Sequence, residues 1–252
     1  MEIAMSRAFR LCTVLLVGLA PAMTACSADP SAAEQAARTS AQQWAALKDF
    51  AAIDATGPDD VSVTIGTPFN VRAEGEAAAV ADLDIAVEGD KLVIGRKSKG
   101  IWNWGRKDRS KSVKIFVTMP AISSVALTGA GDFAIDRVEG EALKLSLTGA
   151  GDFRADQINV GRFTADMTGA GSIKVAGMAE SAKLSTTGAG DIDGKALKVG
   201  AADIETLGAG DIDIASDGRV AIKITGAGDV RVKGKAQCTI NSMGPGEARC
   251  AP

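Results

Sequence analysis

A tetrapeptide that recurs at near-constant spacing limits what this chain can fold into more than any other feature. Gly-Ala-Gly-Asp or a close variant begins at Gly129, Gly149, Gly169, Gly188, Gly208 and Gly226, at intervals of 20, 20, 19, 20 and 18 residues. A degenerate copy, Gly-Pro-Gly-Glu, begins at Gly244, again 18 residues on. A unit this short cannot bury an apolar side alone and has to stack on its neighbours. Val125, Leu145, Ala165, Leu184, Ile204 and Ile222 stand four residues before the first glycine of their copies. Phe133, Phe153, Ile173, Ile192, Ile212 and Val230 stand four after it, and apolar residues alternate on both sides. Such alternation belongs to strands with one face turned inward. The repeat therefore predicts an all-β fold in which residues 119–252 form a single-stranded parallel β-solenoid, or β-helix, of about 20-residue rungs. The glycines supply corner dihedrals that residues with a Cβ avoid.

Residues 48–118 also alternate, in Val61–Ile65, Leu83–Val87 and Val113–Val117, but without the repeat. Gly89-Asp90 between Val87 and Leu92 reads as a tight hairpin turn. This N-terminal β segment is expected to be largely antiparallel. Residues 26–47, rich in Ala and Gln and including Trp44, read as a tether.

Residues 1–25 read as an export signal. Arg7 and Arg10 precede an apolar run, Leu11–Ala20, that is too short to span a bilayer. The run leads to Met23-Thr24-Ala25-Cys26, which resembles a lipoprotein processing site and makes Cys26 the expected lipid anchor. The rival reading is ordinary cleavage nearby and a secreted chain. With Cys12 in the signal and Cys26 at the anchor, Cys238 and Cys250 remain as a pair in an oxidising compartment. They stand six residues before and six after Gly244, in columns that are mostly apolar in the other copies. Both sulfurs are therefore expected to point inward and to form a disulfide across the last rung.

The chain contains no His, which removes His metal ligands, His general bases and Ser-His or Cys-His nucleophile pairs. A net charge of −3 offers no nucleic-acid footprint. The order Lys48–Ile53, Val61–Gly66, Phe69-Asn70-Val71, Leu92-Val93-Ile94 and Val113–Pro120, followed by repeated Leu-Thr-Gly-Ala-Gly-Asp-Phe, resembles the GIN-domain family of auto-transporter adhesin heads. The resemblance covers about 200 of the 252 residues. It implies an exported, envelope-associated all-β protein without established catalysis, and it carries over no catalytic residue.

Three constellations are candidates for function. Asp132, Asp152, Asp191, Asp211 and Asp229, with Ser172 and Glu247 in the same column, form an acidic ladder along the corners. A cation site would need more oxygens than one carboxylate per rung supplies. The ladder is read as carboxylates that accept backbone N–H groups at their own corners, and no metal is assigned. Thr128, Thr148, Thr168, Thr187 and Thr225, interrupted by Leu207, form a second column suited to an outward strand face. The segment 95–111 carries Arg96, Lys97, Lys99, Arg106, Lys107, Arg109 and Lys111 against Asp108, with Trp102 and Trp104 among them. Rings among cations suit anionic lipid headgroups or envelope polymers.

The sequence thus reads as a non-enzymatic, exported cell-envelope module, adhesin-head-like, without a cofactor. It is expected in the outer membrane or periplasm as a lipoprotein, or else secreted. Its expected partners are the membrane through its anchor and an envelope polysaccharide, anionic lipid or protein, with no nucleic acid. An open solenoid end also invites end-to-end self-association. The alternatives are a polysaccharide-acting β-helix enzyme, which would need a long insertion to build a cleft, and a cation-dependent adhesive module.

Overall fold

The computed structural model describes residues 43–97 and 112–251, in which the repeat becomes a stack of parallel rungs. Strands β8 (Phe133–Gly149), β9 (Asp152–Gly169), β10 (Ser172–Gly188) and β11 (Asp191–Gly208) each run from one corner to the next. They pair in parallel with glycine on glycine, as Gly149 on Gly169 and Gly188 on Gly208. β12 (Ile212–Ser216), β14 (Val230–Lys233) and β16 (Ala248–Ala251) extend the wall that follows the corners. β13 (Arg219–Gly226) and β15 (Gln237–Met243) extend the wall that precedes them. The parallel solenoid of about 20-residue rungs is thus observed.

The corner explains the Gly-Ala-Gly signature. Gly149 has φ +128°, and a Cβ on it would lie 2.1 Å from the carbonyl oxygen of Gly129 in the rung before. The second glycine, Gly151, would put a Cβ 2.2 Å from Gly131 O. Between them the Ala150 N–H donates to Gly129 O at 2.9 Å. Variation in rung length is absorbed away from this corner. The 19-residue interval arises where Val175 opposes Ala155 but Gly177 already opposes Ile158. The 18-residue interval arises where Gly194 opposes Ile214 but Lys198 opposes Ala215.

The N-terminal part holds both antiparallel pairs. β4 (Leu83–Glu88) and β5 (Lys91–Arg96) form the hairpin, turning at Gly89 with φ +65°, and β3 (Asn70–Glu74) runs antiparallel to β6 (Lys114–Met119). β1 (Ala52–Gly57) and β2 (Asp60–Ile65) join the solenoid in parallel instead, with β1 between β5 and β7 (Ser124–Gly129) and β2 between β6 and β8. Alternation alone does not distinguish the two senses of pairing, because both bury every second residue. A short helix, α1 (Ala77–Ala81), buries Ala79 and Val80 between β3 and β4 in the chain.

One continuous core fills the stack. The inward columns are almost fully buried, from Val125 at 1% exposure and Leu145 at 0% to Ile222 at 2%. Phe133 and Phe153 stack on adjacent rungs with centroids 5.5 Å apart. Trp44, placed by composition in the tether, is buried, so packed structure begins before Lys48.

Candidate functional site

The most tightly built polar feature lies where the repeat is interrupted. Gly57 opposes Gly129, so Gly57-Pro58-Asp59-Asp60 is a corner in register with Gly129-Ala130-Gly131-Asp132. Its spatial neighbour is the rung made by β5 and β6, which stack on β1 and β2. In that rung β5 ends at Arg96 and β6 begins at Lys114, and most of the basic Trp segment 95–111 lies between them in the chain, outside the described residues. Asp59 occupies the slot of the second glycine, where a side chain in an interior rung would strike the neighbouring backbone. Here it fits, and its carboxylate reaches the two ends of the interrupting segment.

Asp59, 5% exposed, accepts from Arg96 Nε at 2.7 Å through Oδ2, and from Arg96 Nη2 and the Val113 N–H (2.9 Å) through Oδ1. The Asp60 N–H donates to Val113 O at 3.0 Å, which closes the same neck. The hydrogen bonds to Asp59 raise the pKa of the Arg96 guanidinium above its ordinary value, although burial opposes this. Lys97 is held as well, with Nζ donating to Ala81 O at 2.8 Å and its backbone N–H to Asp82 O at 2.9 Å. Arg96 and Lys97, grouped by sequence with the surface-binding cations, are therefore anchoring residues of the neck. Trp102, Trp104, Lys99, Arg106, Lys107, Arg109 and Lys111 lie outside the described residues, as does Cys26.

The acidic column is a ladder of hydrogen bonds between rungs. The Asp132 N–H donates to Asp60 Oδ1 at 3.2 Å, Asp152 N–H to Asp132 Oδ1 at 3.2 Å and Ser172 N–H to Asp152 Oδ1 at 3.1 Å. Asp211 N–H donates to Asp191 at 2.8 Å, Asp229 N–H to Asp211 at 2.9 Å and Glu247 N–H to Asp229 at 3.0 Å. The carboxylates thus cap the adjacent rung rather than their own corner, which corrects the local reading. Stacking brings that N–H close, and a dipeptide seen in isolation cannot show it. Where Ser172 replaces the acid, the Asp191 N–H turns to Gly171 O at 3.2 Å.

Basic residues offset the ladder. Arg231 bridges Asp211 at 3.1 Å and Asp229 at 3.0 Å. Among the described residues there is no group of three or more Cys, Asp or Glu that could hold a metal ion.

The Thr column lies on the outer face, with Thr56 added to it by the register and Leu207 51% exposed within it. An open groove of about 740 Å³ on the outer surface is lined by Asn159, Met178, Lys198 and Asp217 among others. Lys198 Nζ lies 3.1 Å from Asp217 Oδ2, and the Asp217 carboxylate also accepts from the Lys235 N–H at 3.1 Å. These bonds, the backbone one foremost, hold its pKa below the ordinary aspartate value.

Sequence reading missed Asp59 and Asp60 because they precede Gly129 by roughly three and a half repeat lengths. The available signal was the shared Gly-Pro-x-acid form of the copies at Gly57 and Gly244. Each lies near an end of the stack. At the first, Pro58 has no N–H to donate to a neighbouring rung, unlike Ala150, whose N–H donates to Gly129 O.

The profile described as "Putative auto-transporter adhesin, head GIN domain" matches residues 49–236. This chain belongs to the GIN-domain family. Solved structures share the fold of this GIN domain. A "putative adhesin" from Bacteroides fragilis superposes with a TM-score of 0.73 at 24% identity, covering 82% of this chain and 94% of that one. A "putative adhesin" from Parabacteroides merdae gives 0.63 at 18% identity, covering 81% and 93%. A "putative lipid binding protein" from Parabacteroides distasonis gives 0.63 at 19% identity, covering 82% and 94%. No curated protein sequence matches the chain. Among the described residues of the GIN domain, no helix is long and apolar enough to cross a membrane.

Proposed function

We propose that this GIN domain is a non-enzymatic, exported interaction module of the cell envelope, tethered through a lipid on Cys26. Its role is to present the segment between Arg96 and Val113 to an anionic envelope component, either lipid headgroups or an acidic polymer. One observation carries this reading. Arg96 and Val113, which border the segment, are both fixed to a single buried carboxylate, Asp59. A rigid stack that fixes the neck of a Trp- and cation-containing insertion is suited to display, because the ordering cost of the neck is met on folding.

The test compares the chain carrying Cys26→Ser, which removes any lipid contribution, with the same chain in which residues 98–111 are also replaced by a Gly-Ser linker, on isolated envelope fractions at rising salt. Retention of the parent should fall steeply with salt as the charges are screened, and the linker variant should not be retained. Equal retention of the two proteins would overturn the reading. Replacing Cys26 with Ser should separately abolish labelling by a fatty-acid analogue and leave only retention that high salt removes.

A further inference from the structure

The two ends of the stack are finished differently. At the N-terminal end the edges are the antiparallel strands β3 and β4, which carry Arg72 and Glu74, and Asp84 and Glu88. Charged edges of this kind resist pairing with another chain. At the other end β15 pairs only with β13 among the described residues, and its seven residues, Gln237–Met243, include no charge and no proline. This rung also lies beyond the segment matched by the family, which ends at residue 236.

Core positions are left uncovered there. Ile240 continues the column of Leu184, Ile204 and Ile222, which are 0%, 3% and 2% exposed, yet it is 47% exposed. Beside it the disulfide between Cys238 and Cys250, with Cα atoms 6.7 Å apart, caps Val220 and Val232 of the rung beneath. The hydrogen-bonding direction follows from the ladder. The Gln237 N–H donates back to Gly218 O at 2.8 Å. In a parallel strand, alternate residues direct both N–H and C=O to opposite neighbours. Thr239 and Asn241 therefore face β13, while Cys238, Ile240 and Ser242 direct their backbone groups to the open edge.

We propose that this edge pairs with the same edge of a second copy, antiparallel, with Ile240 opposite Ile240 on a two-fold axis. The occupant is a second copy for three reasons. An uncharged strand meets its own image without like-charge repulsion, and Arg249 at the rim is already paired with Glu247 at 2.6 Å. An antiparallel pair centred on Ile240 exchanges both N–H···O bonds at that residue. It also places the two isoleucine side chains on the same face, so that each covers the other's open core. Head-to-tail stacking would instead set the edge against charged antiparallel strands, so the assembly closes as a dimer.

Sedimentation of the full chain carrying Cys26→Ser, which removes any lipid contribution, should show a two-chain species that grows with concentration. Ile240→Lys and Ile240→Glu should each weaken association at least about tenfold, by placing like charges opposite one another. Mixing the two variants should restore the two-chain species. In the unsubstituted protein, hydrogen exchange at Cys238, Ile240 and Ser242 should slow as concentration rises, while Thr239 and Asn241 stay unchanged. A single-chain mass at every concentration would overturn the proposal. So would unaltered association of either variant, or failure of mixing to restore it while both variants melt like the parent. A dimer that forms only after removal of residues 1–42 would mean that the chain's own N-terminal segment covers the edge, which also overturns it.

Discussion

Asp59 and Arg96 form a two-point pair in which a nearly buried carboxylate holds the guanidinium that opens the basic segment, while the same carboxylate holds the Val113 N–H that closes it. Replacing Asp59 with Asn keeps an acceptor for Val113 but removes the negative charge beside the Arg96 guanidinium and the second carboxylate oxygen, which accepts from its Nε–H. Chemical denaturation should show a loss of about 3 kcal/mol, the scale for breaking a buried pair. Combining Asp59→Leu with Arg96→Met should cost less than the two changes summed, because either change alone already removes the bonds between the two side chains. Strict additivity would show that the two side chains act independently.

Corner glycines should differ sharply from turn glycines. Gly149→Ala drives a Cβ into the Gly129 carbonyl oxygen at 2.1 Å and should cost about 4 kcal/mol or more. Gly89 has φ +65° and nothing within 4 Å of the point a Cβ would occupy, so Gly89→Ala should cost only about 1 kcal/mol, the left-handed penalty. Thermal melts of the two variants decide the point, and equal costs would mean that the rungs can part at the corner.

Thr186 and Thr206 oppose one another in an inward column and are 2% and 1% exposed, and neither hydroxyl has a hydrogen-bond partner among the described residues. A buried hydroxyl without a partner costs about 1–3 kcal/mol. Thr186→Val and Thr206→Val should therefore each raise the melting temperature, since Val keeps the shape and removes the polar atom. A fall would place a bound water at the hydroxyls.

Acid stability should depend on Asp217. Its pKa is lowered in the fold, chiefly by the bond from the Lys235 N–H and then by Lys198. Its contribution is thus present above the unfolded aspartate value, about 4, and is lost as pH falls through the folded value. Asp217→Asn should flatten the acid limb of the stability curve and leave its slope above pH ~6 unchanged. An unchanged acid limb would sink this assignment.

Breaking the disulfide should loosen the C-terminal rung first. Cys238 and Cys250 are 12 residues apart, and closing a loop of that size contributes about 3 kcal/mol on the chain-entropy estimate. Reductant, or the double change to Ser, should speed hydrogen exchange in β15 and β16 while leaving β8–β10 protected. Uniform loss across the stack would mean that the rung is not a separable end.

The repeat by itself determined the solenoid, the inward columns and the pairing of Cys238 with Cys250. A period of about 20 residues with apolar alternation has one way to bury its apolar side. What it could not determine lies where partners are distant in the chain. The Asp ladder depends on which N–H stacks above each carboxylate. The corner at Gly57 depends on β1 returning to lie against β7, with Gly57 opposite Gly129. Asp59 reads as an ordinary loop acid until β5 and β6 pack against β1 and β2 and bring Arg96 and Val113 to its carboxylate. Local alternation sets which face of a strand is buried, whereas tertiary stacking sets what each polar group at the edge of that face meets.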